Sequence, residues 1–320
     1  MPRRPLMRPP AVVSVVALGS VLLAGCGDRS PATVGERPGE TVSRPAAATR
    51  EDATAAFAGL SDLRDAWKHQ DCAKIEFLTA WTESVLSGRA CQAARKGQPV
   101  PAADAYTDVE FYLPEDPGER PWFAALARAP RPAYFVFVRA DGRWRLGAGP
   151  IPVVGEVPEL EEGPVAAGAD RDTQVRASLV PTRLLAFLTD PAGVSGVRLP
   201  SGDPMRDLLR ELAARPARAQ RDRLSADVRL EGPAYALPLP DGGALVFHTL
   251  RLVLTQKPGA GRSSLAHPRY GAAAVRAFTG QGPTGSVTSG ELLFLATRVS
   301  ASGGLSTVGL RRVLADITTS

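Results

Sequence analysis

Cys26 is the residue whose position predicts the clearest chemistry in this chain. It ends the run 23–26, Leu-Ala-Gly-Cys, directly after an apolar stretch at 11–23 and a basic start that carries Arg3, Arg4 and Arg8. A positive segment, an apolar segment and a small-residue cleavage site in this order are typical of an export signal. A cysteine just after the cleavage site can accept a diacylglyceryl group on its thiol. We therefore expect residues 1–25 to be a lipoprotein signal peptide and Cys26 to be the lipidated first residue of the mature chain.

This signal also predicts a location. The apolar stretch at 11–23 is shorter than the about 20 residues that a membrane-spanning helix needs, and two or more acyl chains anchor a protein stably. We expect a lipid-anchored protein on the extracytoplasmic face of the cell membrane, with residues 26–50 as a disordered tether. Two alternatives are an ordinary secretory signal with a chance cysteine and a retained membrane helix.

Cys72 and Cys91 are the other two cysteines, and export favours a disulfide bond between them. One straight helix would hold them about 28 Å apart, whereas a disulfide needs Cα atoms within about 7 Å. The chain must therefore turn back between them, and we expect the break near Gly88. Two free thiols, or a metal site formed by His69, Asp71 and Cys72, are the alternatives.

His248 is the most suggestive of the three histidines, because it lies on a predicted strand among apolar residues. We favour a hydrogen-bonded core histidine, with a residue of a ligand pocket as the alternative. The chain has no G-x-S-x-G, H-E-x-x-H or C-x-x-C motif. The sequence therefore predicts no catalytic residue, no metal and no cofactor, and we do not expect an enzyme.

Residues 280–285, Gly-Gln-Gly-Pro-Thr-Gly, match the letters of a dinucleotide-binding fingerprint. That fingerprint requires a strand before it and a helix after it, but here a helix is predicted before it and a strand after it. Pro283 also lacks the N–H that could face a phosphate. A loop is favoured over nucleotide binding.

The first folded half, 51–156, is predicted to contain helices followed by an antiparallel sheet. Phe57, Leu60, Arg64 and Trp67 recur at three- and four-residue spacing, which predicts a mostly apolar helix face. A second helix is expected between 75 and 85, and a short one at 91–95. Strands are expected at 107–113, 133–138 and 143–146, with Asp141-Gly142 as the hairpin turn between the last two.

Residues 157–172 are predicted to be a linker, and the second half, 173–320, is predicted to repeat the order of helices and then strands. The glutamates of the linker, Glu159, Glu161 and Glu162, favour a solvated loop over a calcium site. Helices are expected at 175–188 and from Pro204, with Asp203 as the N-cap and Pro216 as an end or bend. Strands are expected at 226–230, 244–255, 291–299 and 306–318. The second of these alternates apolar and polar residues, which predicts a half-buried strand.

Two further side-chain pairs each have two interpretations. Trp122-Phe123 can pack beneath the sheet, which we favour, or line the mouth of a cavity. Arg311-Arg312 lies among apolar residues near the C-terminus, where charges that protect an edge strand are favoured over an anion site. The predicted fold class is α+β, with two modules that each contain helices and then an antiparallel sheet.

This order of helices and a curved sheet resembles the nuclear-transport-factor-2-like or cystatin-like cone. More specifically, the chain is similar to a family of actinobacterial secreted lipoproteins whose domain has no assigned function. The similarity is carried by Thr107-Asp108, 111–114 (Phe-Tyr-Leu-Pro), 121–125 (Pro-Trp-Phe-Ala-Ala), Val136-Phe137, 144–146 (Trp-Arg-Leu) and 242–244 (Gly-Gly-Ala). It covers most of the mature chain and implies a fold and a location, but it supplies no catalytic residues.

Charge excludes one class of partner. Removal of residues 1–25 would leave 35 basic and 33 acidic residues, a net charge of +2 instead of +5. A nearly neutral chain with scattered charges argues against nucleic acid as a partner. We expect a non-catalytic surface lipoprotein whose partners are the membrane, through its lipid, and an envelope protein or small ligand. A protein that binds a small molecule or lipid in a cone cavity, and an enzyme with an unrecognised site, are the alternatives.

Overall fold

The computed structural model describes residues 46–101, 104–160, 162–165, 171–219 and 221–320, without the side chains of 215–219. Cys26, the predicted signal peptide and most of the predicted tether lie outside the described residues. The first helix begins at Arg50, one residue before the expected Glu51, and just before it Ala48 is buried and Thr49 caps the helix. The Thr49 hydroxyl accepts a hydrogen bond from the Asp52 amide, and the Asp52 carboxylate accepts one from the Thr49 amide.

Four helices open the fold: α1 (Arg50–Ala58), α2 (Leu60–Lys68), α3 (Cys72–Leu78) and α4 (Trp81–Ala94). The prediction that Gly88 ends a helix, with a separate short helix at 91–95, is wrong, because α4 passes through Gly88. The chain turns back at Thr79 and Ala80 instead. Leu86 and Cys91 of α4 are buried, and this packing outweighs the roughly 1 kcal/mol that a glycine costs inside a helix.

Sheet A contains β1 (Thr107–Pro114), β2 (Trp122–Ala129), β3 (Ala133–Ala140), β4 (Arg143–Pro152) and β5 (Gly163–Val165). Its strand order is β4-β3-β2-β1-β5, and all pairs are antiparallel except β1 with β5. The Asp141-Gly142 turn has positive φ at both residues, as the hairpin prediction requires. The segment predicted as a linker thus supplies the short edge strand β5.

The second half starts with α5 (Arg171–Thr189) and α6 (Pro204–Ala219) and continues with β6 (Arg223–Pro238), β7 (Ala244–Lys257), α7 (Ala272–Thr279), β8 (Val287–Val299) and β9 (Leu305–Thr319). The four strands form sheet B as an antiparallel meander in chain order. Asp203 caps α6 as predicted, since its carboxylate accepts from the Met205 amide at 2.9 Å. The helix extends past Pro216, where the sequence predicted an end or a bend.

The two sheets pack face to face. Helices α1–α3 lie on the outer face of sheet A and α5 and α6 on that of sheet B, whereas α4 also packs against β9. Trp122, Tyr134, Phe247 and Phe294 belong to the core between the sheets. A second core joins the helices α1–α4 to sheet A, and a third joins α5 and α6 to sheet B. The layers are therefore helix, sheet, sheet and helix, which confirms the α+β class with helix-then-sheet modules.

This layering corrects one prediction about β7. The alternating pattern predicted a strand with one exposed face, yet Leu245, Phe247 and Thr249 are as buried as the residues between them. The face predicted to be polar packs on sheet A over the first half of the strand. Among the described helices, none combines the length and apolar composition needed to cross a membrane.

Candidate ligand-binding cavity

A half-open cavity of about 280 Å³ lies between α1, α2, the start of α4 and the loop that leads into β1. Its walls are mainly apolar and aromatic. Phe57, Leu60, Leu63, Trp67, Tyr106 and Phe135 form most of this surface. Leu63, Trp67 and Phe135 are buried, whereas Ser61 and Asp104 are exposed at the rim.

The helix face predicted from sequence spacing forms one wall of this cavity. Phe57, Leu60, Arg64 and Trp67 all line it. Gly59 divides the stripe between α1 and α2, which have separate hydrogen-bonded turns. Phe57 still packs edge-on against Phe135 with ring centroids 5.2 Å apart. The stripe therefore buries part of its surface against sheet A and leaves part of it facing an open space.

The cavity also contacts a buried ion pair that joins the two halves of the chain. Arg311 on β9 donates to Glu83 on α4 through Nη1 at 2.8 Å and Nη2 at 3.3 Å. The same Nη1 donates to the Gly149 carbonyl oxygen at 2.7 Å. The guanidinium carbon lies 5.1 Å from the centroid of the Phe294 ring, which adds a cation–π contact.

Glu83 is only 4 % exposed and lies in the first turn of α4. Burial raises the pKa of its carboxyl, while the charge and hydrogen bonds of Arg311 oppose that rise. The bidentate contact and the positive end of the α4 dipole both favour the carboxylate at neutral pH. The pair therefore brings one positive and one negative charge to the base of the cavity.

Arg311 and Arg312 differ from the expectation of exposed charges on an edge strand. β9 is an edge strand of sheet B, but only 17 % of the Arg311 side chain is exposed. Arg312 points to the other face of the sheet and binds Glu291 at 2.6 Å and Glu211 at 2.6 Å. The edge is partly covered instead by the segment that follows β4, because the amides of Val154 and Gly155 donate to the Val308 carbonyl oxygen.

His248 is a core residue, as favoured from the sequence, and lies outside the lining of this cavity. Its Nε2 is 3.1 Å from the Thr297 hydroxyl, and its Nδ1 has no partner among the described residues. Burial lowers the pKa of the imidazole to about 3. The ring is therefore neutral at physiological pH.

This low pKa predicts a specific loss of stability in acid. The unfolded chain takes up the proton below about pH 6.5, but the folded protein does so only near pH 3, so stability falls as the pH is lowered between those values. Urea unfolding at pH 7 and pH 5 should show a loss about 2 kcal/mol larger in the wild type than in His248→Gln. Equal losses in both proteins would contradict a neutral buried His248.

Trp122 and Phe123 are both buried and pack on opposite faces of sheet A, as favoured from the sequence. Trp122 lies 4.9 Å from the Tyr235 ring in the core between the sheets, and Phe123 stacks on Phe137 at 4.8 Å. Neither residue lines the cavity. The alternative that they surround a cavity mouth is wrong.

The remaining sequence motifs have structural roles. Cys72 and Cys91 form a disulfide with Cα atoms 5.6 Å apart, so neither is a free thiol and Cys72 is not available to a metal. Residues 280–285 lie between α7 and β8, so a helix precedes them and a strand follows, as the sequence predicted. A dinucleotide-binding site has the opposite order. Within the described part of the chain, no group of three or more His, Cys, Asp or Glu side chains is placed to hold a metal ion.

These features define an α+β protein in which two face-to-face sheets support a half-open, mainly apolar cavity. Residues 78–317 match the family described as Domain of unknown function (DUF8094), and the chain belongs to that family. No curated protein and no solved structure matches the chain. The matched segment contains Glu83, Phe135 and Arg311, whereas the wall formed by Phe57 to Trp67 precedes it.

Proposed function

We propose that this protein is a non-catalytic, lipid-anchored binding protein of the extracytoplasmic membrane face, and that its cavity holds a small apolar molecule. The observation that carries this proposal is the combination of apolar walls and a charge-paired base in one half-open cavity. Ligand sites are typically concave and mostly apolar, with a few polar groups that orient the ligand.

The size of the cavity supports a small ligand. Closed apolar cavities of about 150 Å³ already bind benzene, and this cavity measures about 280 Å³. Phe57, Tyr106 and Phe135 place three aromatic rings at its surface, and Tyr106 packs edge-on against Phe135 at 4.9 Å. Burial raises the pKa of the Tyr106 phenol, so this ring remains uncharged at neutral pH.

The chemistry of the lining supports binding over catalysis. Its described residues include no histidine, cysteine or lysine. Glu83, the buried carboxyl group of the lining, is held in a bidentate pair with Arg311. A general base must be free to approach the proton that it removes, and a carboxylate engaged in this way is poorly suited to that task.

The location rests on the sequence, and the finer family assignment belongs to the same proposal. The run at 23–26 and its basic, apolar lead predict lipid attachment at Cys26. Membership in the actinobacterial lipoproteins, and kinship of each half with the nuclear-transport-factor-2-like or cystatin-like cone, are supported by the aromatic motifs and by the helix-then-meander order of both halves.

Lipid attachment predicts a change in cell fractionation. We expect the wild type in the membrane fraction of its host and Cys26→Ala outside it, because the variant lacks the acceptor thiol. A Cys72→Ala variant, expressed in parallel, should stay in the membrane fraction. This control distinguishes the loss of the lipid anchor from an effect of removing any one cysteine. Equal membrane association of the wild type and Cys26→Ala would contradict the anchor.

Ligand binding at the cavity is tested by closing its rim. Ser61 is exposed, lines the cavity and donates its hydroxyl to the carbonyl oxygen three residues earlier. Ser178 on α5 makes the same bond at an exposed site outside the lining, which makes it a matched control. With ethylbenzene as the probe in ligand-observed NMR, Ser61→Trp should weaken binding at least about tenfold, because the indole fills the entrance.

The control variant Ser178→Trp should bind ethylbenzene like the wild type. Equal binding by the wild type and Ser61→Trp would move the ligand site away from this cavity. No binding of ethylbenzene by the wild type at its aqueous solubility would contradict the proposed function itself.

A further inference from the structure

Arg311 has more hydrogen-bond donors than the described protein uses. A guanidinium carries five N–H groups, and the contacts to Glu83 and Gly149 account for three bonds, two of them from Nη1. The remaining N–H groups, on Nε and Nη2, have no hydrogen-bond partner among the described residues. Because the side chain lines the cavity, it can offer a donor to a ligand inside.

The charge around this donor is already balanced. Glu83 offsets Arg311 at the base, and at the rim Arg64 and Asp104 bring one charge of each sign. An anionic ligand group would gain Arg311 but would face the buried Glu83 carboxylate. A cationic group would face Arg311 itself. Moving a charged ligand group out of water carries a desolvation cost, and the Glu83–Arg311 pair, which has no net charge, does not offset that cost.

We propose that the ligand is an uncharged amphiphile, an apolar body that carries a carbonyl group which accepts a hydrogen bond from Arg311. This inference rests on the proposed function and names the chemical class of its ligand. A ketone or ester oxygen accepts N–H bonds without adding a charge, and hydrogen bonds to a charged donor are stronger than those to neutral donors.

The position of Arg311 also sets the orientation of the ligand. The donor lies beside the buried Glu83, whereas exposed lining residues such as Ser61 and Asp104 mark the solvent side. The carbonyl group therefore enters first and the apolar body lies towards the aromatic walls and the rim. A phospholipid does not fit this arrangement, because its ester carbonyls adjoin a headgroup that would have to be buried with them.

Two probes of nearly equal shape test the carbonyl group. Acetophenone and ethylbenzene both carry one aromatic ring with a two-carbon substituent, and acetophenone adds the acceptor oxygen. We would measure the affinity of each for the wild type and for the double variant Glu83→Leu/Arg311→Met, which removes the donor and the charge pair together. The double variant should lose at least about tenfold more affinity for acetophenone than for ethylbenzene.

Equal losses for the two probes would overturn the carbonyl assignment, while continued ethylbenzene binding would leave the proposed function in place. If neither probe binds the wild type, the proposed function fails as well. Phenylacetate in the wild type gives a test that needs no variant: it should bind more weakly than acetophenone, and tighter binding would overturn the inference. Displacement of acetophenone by monomeric dihexanoylphosphatidylcholine, kept below its micellar concentration, would also overturn it in favour of a membrane lipid.

Discussion

Replacing Glu83 with alanine should lower the free energy of unfolding by about 3–5 kcal/mol. The substitution leaves the Arg311 guanidinium largely buried, with the Gly149 carbonyl as its remaining hydrogen-bond acceptor. An unpaired buried charge retains its desolvation cost and loses the attraction that offset it. Urea unfolding, followed by fluorescence of the four tryptophans, measures this loss.

The exposed pair Arg229–Asp227 is the matched control, since 66 % and 52 % of its side chains are accessible. Asp227→Ala should cost less than about 1 kcal/mol. In the double variant Glu83→Leu/Arg311→Met, where apolar residues replace both charges, most of the stability should return. A Glu83→Ala loss no larger than that of Asp227→Ala would contradict the buried pair.

Removing the Cys72–Cys91 disulfide should cost about 3 kcal/mol. The bond closes a loop with a sequence separation of 19 and joins the start of α3 to the second half of α4. In the chain-entropy description, its loss lets the unfolded chain expand while the folded state changes little. Comparison of the wild type with Cys72→Ala/Cys91→Ala by urea unfolding gives the value.

Reducing agent supplies the control for that experiment. It should destabilise the wild type by a similar amount and leave the double alanine variant unchanged. Free thiols at both positions in protein exported by its own host, or no effect of reductant on unfolding, would contradict the bridge.

The sequence predicted the partners of this disulfide but placed the turn between them wrongly. An exported protein with two cysteines favours a disulfide between them. The distance that a disulfide allows then requires the chain to reverse direction between Cys72 and Cys91. The position of the turn depends on tertiary packing. Gly88 disfavours a helix locally by roughly 1 kcal/mol, and the burial of Leu86 and Cys91 outweighs that preference.

Only one wall of the cavity could be predicted from the sequence. The apolar stripe from Phe57 to Trp67 is a local pattern, and helical periodicity identifies it. Sequence spacing predicts a shared face but does not distinguish a filled core from a cavity wall. That distinction depends on the loop at 104–106 and on β3, which are distant in the chain.

Nothing in the sequence around Glu83 or around Arg311 predicts that the two residues form an ion pair. The two residues are 228 positions apart, and they meet because α4 packs directly against β9. An arginine among apolar residues on an edge strand is normally explained by protection of that edge. The packing of β9 against α4 places Arg311 at the base of the cavity.

A crystal structure of the protein with ethylbenzene tests the central claim most directly. We expect electron density for one ethylbenzene molecule in contact with Phe57, Tyr106 and Phe135, with the helix and sheet layers unchanged. Electron density for ethylbenzene at another place on the protein, together with a cavity that is filled by ordered water or closed by its own side chains, would contradict ligand binding at this site.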